Sequence, residues 1–80
     1  MNIELMNGTY PRNEGVDLVL RMIEVKIKYH EQKITRVDNE EDIKMRELRI
    51  KQLQNEASRL RQELTQNDEP VKLKASVLLY

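Results

Sequence analysis

The sequence predicts a mainly α (α+β) fold: a long antiparallel helical hairpin flanked by short N- and C-terminal β-strands. Three observations carry that expectation. Two stretches repeat their apolar residues at alternating steps of three and four, the spacing of one helix laid along another. Only a few residues separate the stretches, which makes the two helices antiparallel neighbours. Both ends of the chain alternate apolar and polar residues, the two-residue period of a strand. With 80 residues there is room for one domain, 1–80, reading as strand 2–6, helix 11–36, helix 39–66 and strand 71–79.

Ile3 and Leu5 face one way in the first strand and Asn2 and Glu4 the other. Asn7-Gly8 then reads as a turn pair that stops the strand. Pro11 suits the first position of a helix and pushes Tyr10 toward extended geometry. Gly15 in the first turn is a weak spot, costing about 1 kcal/mol relative to Ala. The first helix carries a seam of Val16, Leu20, Ile23, Ile27, His30, Ile34 and Val37.

The stretch VDNEEDIKMRELRI, residues 37–50, resembles an acidic cluster running into a basic one, but helix chemistry accounts for it. Asp38 with Glu41 has the Asp-x-x-Glu form of a capping box, and the acidic residues at 40–42 suit a helix N-terminus. Glu40 precedes Lys44, Asp42 precedes Arg46 and Glu47 precedes Lys51, each four residues apart in the favourable order. A calcium loop would need a central glycine and alternating ligands, which this stretch lacks. The second seam is Ile43, Arg46, Ile50, Leu53, Ala57, Leu60 and Leu64, and Asn67-Asp68-Glu69-Pro70 ends the helix. Each helix spans about 40 Å at 1.5 Å per residue. In the tail, Val71, Leu73, Ala75, Val77 and Leu79 alternate with Lys72, Lys74, Ser76, Leu78 and Tyr80. This strand of about nine residues outruns a first strand of five, leaving an apolar edge open to another copy.

Composition narrows the function classes. There are no cysteines and one histidine, His30, so neither a disulfide framework nor a transition-metal site is expected. Gly8 and Gly15 are the only glycines, too few for a phosphate loop, and the serines, Ser58 and Ser76, have no histidine partner in the pattern. The reading is of a protein without catalytic activity and without a cofactor. Fourteen basic residues balance fourteen acidic ones, with net +1 over residues 1–37, −3 over 38–69 and +2 over 70–80. A nucleic-acid binder concentrates basic charge on one face. Here Lys44, Arg46, Arg49, Lys51, Arg59 and Arg61 sit among carboxylates. No apolar run approaches the roughly 20 residues of a membrane span, and the N-terminus lacks the basic flank and apolar stretch of a signal peptide. A cytoplasmic protein is the expectation.

Two features remain as candidate sites. Aligning the hairpin about its turn pairs residues whose numbers sum to roughly 77, which brings His30 opposite Arg46 as a polar layer in an apolar seam. It is either a proton- or anion-responsive site or a layer that fixes the register, and single polar seam residues favour the second reading. The other feature is a second apolar stripe, Leu18, Met22, Val25 and Tyr29, well over a right angle from the first seam. Rotation sense through an antiparallel pair puts Met45 and Leu48 of the second helix on the same side, with Tyr29 and Leu48 as neighbours. Either the terminal strands cover this face or a second protomer does, and the two together in a dimer is the favoured reading, because one short ribbon is too small to cover a hairpin of about 40 Å alone. The function that follows is a small protein-interaction module, an adaptor or regulator that self-associates as a dimer and binds an unidentified protein partner. A regulator binding nucleic acid or an anionic nucleotide through Arg46, Arg49 and the tail lysines is the alternative.

Overall fold

In the computed structural model, which describes residues 1–36, 39–64 and 66–80, the chain runs β1 (Asn2–Tyr10), α1 (Arg12–Ile34), α2 (Glu40–Leu64) and β2 (Val71–Leu78). The two helices form the hairpin and the two strands pair antiparallel as one ribbon. The mainly α architecture with terminal strands is thus as the sequence indicates.

The seams drive the hairpin together. Val16 of α1 and Leu53 and Ala57 of α2 are buried, and the other described seam residues, from Leu20 to Ile34 and from Ile43 to Leu64, are partly covered. Val37 and Asp38 lie outside the described residues, so the expected capping box is not described. The cap that is described uses Asn39, whose side-chain oxygen accepts the N–H of Glu41 at 2.9 Å and of Asp42 at 3.2 Å. That satisfies two of the amides that a helix start leaves unpaired. At the other end of α1 the helix stops at Ile34, two residues short of the expected 36. There Arg36 N–H bonds back to Lys33 O at 3.1 Å and the Thr35 hydroxyl donates to Gln32 O at 2.7 Å, tightening the last turn.

The strands depart further from expectation. β1 does not stop at residue 6 but continues through Asn7 and Gly8, which pair with Lys74 and Leu73. A local turn signal loses here to a ladder partner that supplies hydrogen bonds along the whole strand. Consequently β1 and β2 match in length, and the tail does not outrun its partner. The register slips once, between Glu4 and Met6, leaving Leu5 as the extra residue of a bulge. That slip rephases the strand. Ile3 and Met6, three residues apart, both face the side that also carries Gly8, Tyr10, Val71, Leu73, Ala75 and Val77.

The root of the ribbon packs on the first turn of α1, and Gly15 makes that possible. A methyl group built there would meet Val71 Cγ2 at 2.5 Å, Leu73 Cδ1 at 3.2 Å and Tyr10 Cβ at 3.4 Å. Gly15 is thus required for close approach rather than a weak spot. Pro11 precedes the helix as its cap, with ψ near 140°, and its carbonyl accepts the Gly15 N–H at 2.9 Å. Arg12 closes this end. Its guanidinium donates to Leu64 O at 2.8 Å, a C-terminal carbonyl of α2, and to Glu69 O at 2.6 Å. Asn67 Oδ1 accepts the Glu69 N–H at 2.9 Å; α2 is described to Leu64, residue 65 lies outside the described residues, and residue 66, the expected end, is not helical.

The whole measures 46 × 33 × 13 Å. Two packed helices with axes 8–10 Å apart are narrower than 33 Å, so the ribbon projects past the outline of the hairpin. So thin a body has little interior. Among the described residues Val16, Leu53, Ala57 and Val71 are the buried apolar ones, and none of the described side chains is completely enclosed.

Candidate functional site

The polar layer forms where the seam register places it. Arg46 Nη1 lies 3.1 Å from His30 Nδ1, while Arg46 Nε bonds Asp42 Oδ2 at 3.1 Å. Since a guanidinium can only donate, Nδ1 must accept, which fixes His30 as the neutral tautomer with its proton on Nε2. Burial lowers the His30 pKa below its ordinary 6.5, and the nearby Lys26, Arg46 and Arg49 charges lower it further. The Nε2–H is buried and has no hydrogen-bond partner. An unsatisfied buried donor of this kind costs about 1–3 kcal/mol. The arrangement suits a device that fixes register by tolerating only one neighbour, at some cost in stability.

Tyr29 stands beside this layer. Its ring meets the His30 ring edge-on at 5.5 Å. Lys26 Nζ at 5.2 Å, Lys33 Nζ at 5.7 Å and the Arg46 guanidinium carbon at 5.9 Å approach the ring centroid, within cation–π reach. Tyr29, 46% exposed, is thus flanked by three cations. Of the three four-residue charge pairs expected on α2, Asp42–Arg46 is the one that closes among the described residues.

The second stripe stays open. Exposure runs from 38% at Leu18 and 42% at Met22 to 69% at Val25 and 71% at Met45, with Tyr29 and Leu48 between. The chain's own ribbon reaches only the beginning of this side. Met6, Leu73 and Ala75 share a groove of about 330 Å³ with Val19, Met22, Ile23, Lys26 and Leu53, whereas Val25, Tyr29, Met45 and Leu48 stay 46–71% exposed. The terminal strands by themselves therefore leave Val25, Tyr29, Met45 and Leu48 exposed. Val19 is the stripe residue that sequence reading missed. It lies four residues from Gly15, and that spacing marks the line on which the ribbon rests.

A larger groove of about 860 Å³ opens at the start of α1, lined by Tyr10, Arg12, Asn13, Asp17, Leu20, Asp68 and others. Its one arginine donates to backbone carbonyls, and the other charged groups on its wall, Asp17 and Asp68, would repel an anion. Among the described residues no three His, Cys, Asp or Glu side chains gather as metal ligands, and no helix is long and apolar enough to cross a membrane. No protein-family model matches the chain, and no curated protein or solved structure matches it.

Proposed function

We propose that this protein is a small interaction module, an adaptor or regulator without catalytic activity, which self-associates and binds other protein through one side of its helical hairpin. The observation that supports this most is the open stripe. With the ribbon in place, Met22, Val25, Tyr29, Met45 and Leu48 still present apolar side chains to water. Scattered apolar residues are ordinary on a surface, whereas a line of them along one side of a helix pair marks a contact surface. The cations around Tyr29 would form the polar rim of such a contact.

The nucleic-acid alternative draws less support. Arg46 is held by Asp42 and His30, and Arg49 donates to Gln52 at 3.2 Å, so neither is free to follow a phosphate backbone. Light scattering coupled to size-exclusion chromatography at micromolar concentration tests the proposal. The wild-type chain should elute above monomer mass, and Val25→Glu with Leu48→Glu should lower that mass while helicity by circular dichroism stays unchanged. A wild-type chain that is strictly monomeric overturns self-association. Retention on heparin that weakens steeply with salt would favour the alternative.

A further inference from the structure

The chain exposes more surface than a compact monomer of its mass. A folded monomer of 9.6 kDa exposes about 5,100 Å² by the general scaling of area with mass. This chain exposes 6642 Å², an excess of about 1,500 Å² over that scaling. Standard interfaces cover about 800 Å² per partner, and obligate dimers cover more. The excess therefore matches one obligate interface between two copies.

That surface has two parts, and they complement one another. The first is the far half of the ribbon's hairpin-facing side, where Ile3 and Val77 form a cross-strand pair that remains exposed. The second is the turn-end half of the hairpin, represented by Val25, Tyr29 and Met45. The ribbon springs from the open end of the hairpin, and the stripe lies bare toward the turn. At the ribbon's root the same strand face already rests on this same side of α1, with Val71 and Leu73 against Gly15. Each copy thus carries a half-used ribbon at one end and a half-covered hairpin at the other.

We infer that two copies pack with their hairpins antiparallel about a two-fold axis, so that the far half of each ribbon lies across the Val25–Tyr29–Met45 surface of the other copy. The inference rests on the interaction-module reading above and names the first partner as a second copy. A two-fold axis makes both contacts at once and closes the assembly. Edge-to-edge pairing of ribbons is disfavoured by the bulge at Leu5 and by Lys72 and Lys74 on β2, both of which deter strand addition. It would also leave the hairpin stripe in water.

Mixing two variants distinguishes the arrangements. Ile3→Glu/Val77→Glu spoils the ribbon and leaves the stripe intact; Val25→Lys/Met45→Lys does the reverse. Each alone should sediment as a monomer. Mixed, they should recover a dimer within about tenfold of the wild-type dissociation constant, because one contact is then unaltered and the other joins Glu to Lys. If ribbon instead meets ribbon, or stripe meets stripe, one of the two variants keeps an unaltered self-contact and stays a dimer on its own, while the mixed pair, whose every contact has one altered member, does not form. That outcome overturns the arrangement and leaves the interaction-module reading standing. A wild-type monomer overturns the arrangement and self-association together, and leaves only binding to a different protein. Should either variant fail to fold, cysteine trapping replaces it, since the chain has no native cysteine. Val77→Cys mixed with Met45→Cys should give an oxidised dimer joining the two variants; a dimer formed as readily by either variant alone overturns the arrangement.

Discussion

The open end of the hairpin and its turn end are built from the same helices, yet only one of them finishes its own packing. At the open end the ribbon adds a third element. Val71 and Leu73 press on Gly15, Val16 is buried, and Arg12 ties α1 to the last turn of α2. At the turn end two helices face each other alone. Their contact includes a polar layer with an unpaired donor on His30, and their outer side shows Val25, Tyr29 and Met45 to solvent. Two helices in contact bury one stripe each, and a second stripe requires a third element. The difference between the ends is the presence of that element.

The largest effect is expected at the self-sufficient end. Leu53→Ala removes a buried side chain from the seam and from the groove beneath the ribbon. It should cost about 2–5 kcal/mol in chemical denaturation, a large share of the stability of a small domain. A loss below 1 kcal/mol would show that this end is not the anchor.

For Gly15→Ala, helix propensity and packing predict opposite signs. Propensity alone gives a gain of about 1 kcal/mol. The approach of Val71 Cγ2 at 2.5 Å requires the ribbon or the helix to shift, so a net loss of about 1–3 kcal/mol is expected. Ribbon amide exchange should quicken in the same variant. A net gain would mean that the ribbon is not seated on α1.

His30 probes the turn end. Its pKa is lowered in the folded chain from an ordinary 6.5, so the unfolded chain takes up its proton first as the pH falls. The contribution is intact above pH 6.5 and is lost as the pH drops through the lowered folded value. His30→Leu should raise the melting temperature and flatten that dependence, with the pH slope of the difference between variant and wild type as the readout. Because a leucine tolerates other neighbours, register should also loosen. Equal slopes in both chains would remove His30 from the account.

The smallest effect on stability belongs to Val25→Ser. Measured on dilute monomer it should change unfolding free energy by less than about 0.5 kcal/mol, as exposed positions do. Its effect should appear in self-association instead. A loss of monomer stability at Val25 as large as at Leu53 would erase the contrast between the two ends.

Some of this was legible in the chain and some was not. The helix seams and the meeting of His30 with Arg46 follow from periodicity and a short connection, because a helical hairpin has few registers that bury both stripes. Asn7-Gly8 carries a local turn signature that ends the strand pattern early, while the partner strand that overrides it lies more than sixty residues away in sequence. Arg12 did leave a signal. A cation in the first turn opposes the helix dipole, and its place is explained by the carbonyls of α2 and the following loop that it serves. Gly15 left a similar one, since glycine inside a helical pattern needs a reason in packing.

By itself the sequence determined the two helices, their mutual seam, the polar layer within it and the existence of a surplus apolar stripe, because each depends on spacing within a segment or across one short turn. Tertiary structure alone decided how far the strands run, where the bulge rephases them, why residue 15 must lack a side chain and which part of the stripe remains open. Those outcomes depend on contacts between the two ends of the chain, and no local period encodes where distant segments meet.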